Sequence, residues 1–186
     1  TLLLPVVIGI NVVSRELVII LLGPGFEKSE IVLKILAFAV FFAMFATIIN
    51  GCILLPYKKE KFVLKATITA AVINLIANLI AIPLFQQNGA AVTTIISECV
   101  VMIIGWNFAR RIVKLEDVKK VVFTSTIGCI AIIVIANSCE FLSSNVVILL
   151  CLKVILSILA YFVLLFFMKN EIVVKYTKKI WEKVKL

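Results

Sequence analysis

The chain has 186 residues, 63% of them hydrophobic, with mean hydropathy +1.22 and a formal net charge of +9. A soluble domain is nearer half apolar, so these values exclude an ordinary soluble globular protein and point to an all-α polytopic transmembrane bundle. Histidine is absent, and Cys52, Cys99, Cys129, Cys139 and Cys151 stand singly with no Cys-x-x-Cys or Cys/His spacing; no metal, cofactor or redox centre is expected, and each thiol reads as a small buried hydrophobe.

The apolar residues fall in runs of about 20, roughly the length a helix needs to cross the hydrocarbon core. Continuous runs, rather than alternating ones, exclude a transmembrane β-barrel. The chain opens directly on such a run, "TLLLPVVIGI", with no charged leader. It is therefore read as the C-terminal part of a longer polytopic protein. Six spanning helices are predicted, at 2–22, 31–55, 62–84, 90–113, 119–138 and 146–168. Between them lie "GPGFEKSE", "PYKKEK", "FQQNG", "RRIVKLEDVKK" and "SCEFLSSN", each with a turn former or a cluster of charge.

Two residues of the first helix, Arg15 and Glu16, are costly at membrane depth. At about 1.5 Å per residue they lie roughly 10–12 Å in from Gly23. Arg15 either faces a solvated cavity or anchors the helix by snorkelling. Glu16 projects about 100° away from it and need not pair with it. The second helix carries a small or polar stripe, Ala39, Ala43, Ala46 and Asn50.

The third helix has the clearest division. Thr67, Ala71, Asn74, Asn78 and Ala81 recur at steps of four and three along one face, and Ile68, Val72, Leu75, Leu79 and Ile82 along the other. Helices in lipid associate through small residues and interhelical hydrogen bonds, so the first face is expected to turn inward. The two amides serve either interhelical hydrogen bonding or direct contact with a polar substrate. In the fourth helix Ala91, Thr94, Glu98 and Gly105 oppose Val92, Ile96, Cys99 and Ile103. Glu98, about 15 Å deep, must be paired, protonated or hydrated. Lys153 in the sixth helix reads as a cavity lining or as a snorkelling or paired cation.

Fifteen of the nineteen basic residues fall in or beside "PYKKEK", "RRIVKLEDVKK" and the tail from Lys169. These alternate with loops holding only Lys28, so the positive-inside rule places both ends of the six-span bundle in the cytoplasm. The positive charge is thus topological, and no nucleic-acid partner is expected. In the tail, Val173, Tyr176, Ile180 and Val184 share helical spacing among lysines, which suits a basic helix lying on the inner leaflet or a solvated tail. The chain divides into four helices over 1–113, two further helices over 114–168 and the basic tail 169–186.

Three stretches carry a family resemblance: "LPVVIGINVVSRELVIILLGPGFEKSEIVLKILAF", the basic "YKKEK", and the Asn-x-x-x-Asn, Ile-Pro and Gly-Ala-Ala-x-x-Thr pattern spanning 74–94. In order and spacing, residues 1 to about 113 resemble the C-terminal half of bacterial polysaccharide flippases. These are the O-antigen and capsule repeat-unit translocases of the multidrug/oligosaccharidyl-lipid/polysaccharide exporter superfamily. The last two helices look like the extra pair of fourteen-helix members. The resemblance implies a two-lobed fold around a central cavity, with the N-terminal lobe upstream. It also implies movement of polyprenyl-pyrophosphate-linked oligosaccharides across the bacterial cytoplasmic membrane by alternating access. Arg15, Asn50, Asn74, Asn78, Thr94 and Glu98 are then candidate cavity residues, chosen as polar groups on inward faces and not by identity with the family. The alternatives are a lipid-linked peptidoglycan-precursor flippase or a cation-coupled drug exporter of the same superfamily. A membrane-embedded polysaccharide polymerase or acyltransferase, or a structural membrane subunit, fits less well. No catalytic constellation is present, so the chain is not expected to be an enzyme.

Overall fold

The computed structural model describes residues 2–113, 118–140 and 145–168. All the regular structure in them is helical: α1 (Leu3–Val12), α2 (Ser14–Leu22), α3 (Lys28–Ile48) running into a π-helical turn (Ile49–Leu54), α4 (Glu60–Ala109), α5 (Val118–Cys139) and α6 (Val146–Phe167). Four of these are long and apolar enough to cross a membrane, or five if α1 and α2 together form one span. The predicted inner-leaflet helix of the tail lies outside the described residues.

These helices are poorly covered by protein. In the most apolar window of α4 only 6% of residues are buried. Leu75 and Leu79 are 63% and 70% exposed. In water such a surface would drive association; in a bilayer it is the stable outer face. The described residues therefore form a helical bundle of the kind found in multi-pass membrane proteins.

Two compact units make up the chain, residues 1–21 with 119–186 and residues 22–118. This grouping by packing is a separate matter from the division in chain order at residue 113.

In the first unit the predicted single helix over 2–22 is replaced by two helices bent by 61°. Local hydrogen bonding explains the break. The Asn11 side chain donates to the Val7 carbonyl, and Ser14 Oγ donates to the Asn11 carbonyl at 2.9 Å. Such bonds compete with the helical ladder and bend it. Ile132, Tyr161 and Leu165 form the buried core of the unit, with Ile8 and Val12 packed against them. Gly128 admits the Tyr161 ring, since a Cβ there would lie 2.3 Å from it.

In the second unit, α4 is a hairpin rather than a 50-residue rod. Gln86 has φ 52° and ψ −131°, which reverses the chain between an arm over 60–85 and an arm over 87–109. The predicted break "FQQNG" is thus one residue wide. Two features allow so tight a reversal. Pro83 contributes no N–H to the last turn of the first arm. Gly89 lets the second arm rest on the first, because a Cβ there would stand 2.3 Å from the Ala81 carbonyl oxygen.

The predicted outer stripe of the first arm is found exposed, from Ile68 through Val72, Leu75 and Leu79 to Ile82. The inner stripe is shifted in its first half. Ala66 and Ala70 are buried, whereas Thr67 and Ala71 are exposed. Thr67 satisfies its hydroxyl on its own helix, at the Val63 carbonyl, so nothing draws it inward. In α3 the predicted stripe agrees, with Ala39 and Ala46 buried.

Candidate functional site

Two polar clusters lie inside these apolar helices, one in each unit. The first is the seam of the α4 hairpin. Asn74 Nδ2 donates to the Thr93 carbonyl at 3.2 Å and to Ser97 Oγ at 2.7 Å. Asn78 Nδ2 donates to Asn74 Oδ1 at 2.9 Å, and Thr93 Oγ1 donates to Asn78 Oδ1. The two amides are one turn apart, so one can bond to the other while each also reaches the opposite arm. The result is a continuous network between antiparallel arms.

Of the predicted residues, Asn74 and Asn78 come together here and hold the arms to each other. Their partners on the second arm are Thr93 and Ser97, not the Thr94 and Glu98 that periodicity selected. Thr94 bonds only within its own arm, to the Ala90 carbonyl at 2.8 Å. Glu98 is half-buried and makes no hydrogen bond or ion pair among the described residues. The signal for Thr93 and Ser97 was present in the sequence. Gly89, Thr93 and Ser97 are small residues at steps of four, a second small stripe directly beside the chosen one.

Asn50 lies in the π-helical turn at the end of α3. Its Oδ1 is buried with no hydrogen-bond partner, and it faces Gly105, where a Cβ would sit 3.1 Å from it. It belongs to the same unit as the seam, but no bond joins it to Asn74 or Asn78.

At the end of this unit away from Gln86, the Phe62 and Phe108 rings stack at 3.9 Å between centroids. Lys59 lies 6.0 Å from the Phe62 centroid, and Arg111 lies 5.9 Å from that of Phe108. Lys59, before the first arm, and Arg111, after the second, are therefore gathered at one end, and the turn between the arms carries no charge.

The second cluster is in the other unit. Lys153 Nζ donates to Glu16 Oε1 at 2.7 Å and to Glu140 Oε1 at 3.3 Å. Lys153 and Glu16 are only 2% and 4% exposed, whereas the Glu140 side chain is 62% exposed. Sequence left Lys153 open between cavity, snorkelling and pairing; here it is paired within the bundle. The 61° bend between α1 and α2 begins the helix that carries Glu16, and the partner is 137 positions away in sequence. Glu16 Oε2 remains buried with no hydrogen-bond partner. Arg15 is exposed and makes no hydrogen bond or ion pair among the described residues. Arg15, Glu16, Ile19, Glu140, Val146 and Leu149 line a cavity of about 290 Å³. Of the six predicted residues, Arg15 alone belongs to this unit.

No family model matches the chain, and none of the curated proteins or solved structures compared with it does so. The class defined by fold and composition is that of a multi-pass helical membrane protein.

Proposed function

We propose that this chain is the C-terminal part of a bacterial cell-surface polysaccharide flippase. In that reading it helps carry polyprenyl-pyrophosphate-linked repeat units across the cytoplasmic membrane, without catalysing a covalent step. The observation that carries the reading is the divided character of the α4 hairpin. Its arms join through amides and hydroxyls, while bulky aliphatic residues form the outer face. A translocator of a charged, sugar-bearing lipid needs both surfaces: a polar side facing a protein or aqueous path, and a greasy side facing acyl chains.

Counting each arm of α4 as a crossing, and α1 with α2 as one, gives six spans. The gathered basic residues at the far end of the hairpin then lie in the cytoplasm by the positive-inside rule, and the uncharged Gln86 turn lies outside. This is the topology implied by the resemblance to the flippase family, which places both ends of the segment inside and an N-terminal lobe upstream. In this arrangement Asn50, Thr94 and Glu98 are candidates for the cavity wall. Asn74 and Asn78 serve it mainly by holding the two arms at a fixed spacing.

Glu98 supports a second reading, a cation-coupled exporter of the same superfamily. A carboxylate without a partner in an apolar helix is costly, and cation binding relieves that cost. Deleting the gene tests the first reading. Lipid-linked repeat units should accumulate on the inner leaflet and surface polysaccharide should be lost; normal export would overturn it. If Glu98→Gln abolished proton- or sodium-driven drug efflux, the exporter reading would replace it.

A further inference from the structure

The cavity beside Lys153 contains one unsatisfied group of each sign. Glu16 Oε2 is an acceptor without a donor, on a side chain 96% removed from solvent (4% exposed). Arg15 is a cation without an acceptor among the described residues. Both line the same space of about 290 Å³, yet no ion pair joins them. They are consecutive on α2 and point apart, so neither can satisfy the other.

Charge balance narrows what can satisfy both. Glu16 and Glu140 contribute two carboxylates, and Lys153 and Arg15 two cations. The cluster is neutral as it stands. A lone cation or a lone anion would leave a net charge among apolar helices, which is costly. A net-neutral ligand carrying both signs adds no such charge. We propose that this cavity binds a small zwitterion, with a primary ammonium at Glu16 Oε2 and Glu140 and an anionic group at Arg15, the chemistry of a phosphoethanolamine group.

Each part of the lining then has a role. An ammonium has three N–H donors, enough for the orphan oxygen and the exposed Glu140 carboxylate. The guanidinium fork of Arg15 donates two parallel hydrogen bonds to a phosphate or carboxylate. Ile19, Val146 and Leu149 pack against the short methylene link. Glu140, at the end of α5 and largely exposed, stands at the mouth. A quaternary ammonium has no N–H to offer, so the choline analogue would leave Glu16 Oε2 unsatisfied and is discriminated against.

The same chemistry exists as a lipid headgroup and as a free solute, and the test separates them. Thermal unfolding of the purified protein is measured in detergent with soluble glycerophosphoethanolamine or glycerophosphocholine, phosphodiesters that are net neutral like the headgroups. It is then measured in vesicles of phosphatidylethanolamine or phosphatidylcholine. The ethanolamine form should stabilise and the choline form should not, with the effect in vesicles alone marking a headgroup site and the effect in solution marking a solute site. Arg15→Gln should weaken the ethanolamine effect about tenfold while leaving the unliganded midpoint unchanged, because Arg15 is exposed and unpaired. Glu16→Gln should abolish the effect, but it also strips Lys153 of its buried partner, so Arg15→Gln is the deciding variant. Equal stabilisation by ethanolamine and choline forms, no stabilisation by either, or an unaltered response in Arg15→Gln would overturn the proposal. None of these outcomes bears on the flippase reading, which stands or falls on export in the deletion strain.

Discussion

Gly89 is where the α4 hairpin closes, and replacing it with alanine tests that geometry directly. A Cβ at this position would lie 2.3 Å from the Ala81 carbonyl oxygen and 2.7 Å from its carbon. Ordinary contact begins about 1 Å further out, and both atoms are backbone, so no side chain can rotate away; the arms must separate. Separation stretches the bonds nearest the turn first, beginning with Thr93 to Asn78 and continuing to Asn74 with Ser97. Overpacking of this kind costs about 1–3 kcal/mol. Loss of the interhelical hydrogen bonds adds about 0.6 kcal/mol each, so the destabilisation should be about 2–4 kcal/mol. Gly9 provides the control. It is also helical, but a Cβ there meets nothing within 4 Å, and Gly9→Ala should stabilise by up to about 1 kcal/mol through helix propensity. Reversible unfolding in mixed dodecylmaltoside and SDS micelles measures both variants. If Gly89→Ala were as stable as Gly9→Ala, the arms would not be in backbone contact and the seam described here would be wrong.

Lys153→Met should destabilise the protein by about 3–5 kcal/mol in the same assay, because Glu16 is then buried without a counter-charge. The double variant Lys153→Met/Glu16→Met should recover most of that loss, and failure to recover would show that the pair does not share one buried site. Asn74→Ala should cost about 0.6–1.7 kcal/mol, whereas Thr94→Ala should be close to neutral, since its hydroxyl bonds only its own arm; equal effects would contradict the register of the hairpin. Gln86→Gly should stabilise by about 1 kcal/mol, because a positive φ of 52° strains a side-chain-bearing residue and not glycine. An unfolding midpoint below that of the parent protein would argue against the reversal at this residue.

The helical class of this protein, and the positions of most of its long helices, were legible in the sequence because both depend on local chemistry. Runs of about 20 apolar residues have one low-energy form in hydrocarbon, a helix that satisfies its own backbone. The exposed faces were legible for the same reason: Ile68, Val72, Leu75, Leu79 and Ile82 recur at the helical period, and all are found outward. Even the reversal near Pro83 and Gly89 announced itself through residues with restricted or permissive backbones.

The pairing of inward faces was not legible. Two small stripes run side by side on the second arm, Ala91–Thr94–Glu98 and Gly89–Thr93–Ser97. Both recur at helical spacing, and only tertiary contacts divide them: Ala91 of the first is buried, but Gly89 meets Ala81 and the bonds across the seam go to Thr93 and Ser97 of the second. The bend at Val13 was hidden because Asn11 and Ser14 are as compatible with a straight helix as with a broken one until their side chains choose backbone acceptors. Lys153 could be seen as costly in a membrane, but not as the partner of Glu16. Local sequence measures what one helix prefers. Which charge a buried ammonium meets from 137 residues away is decided only when the helices pack, because that choice minimises the cost of burying every charge together.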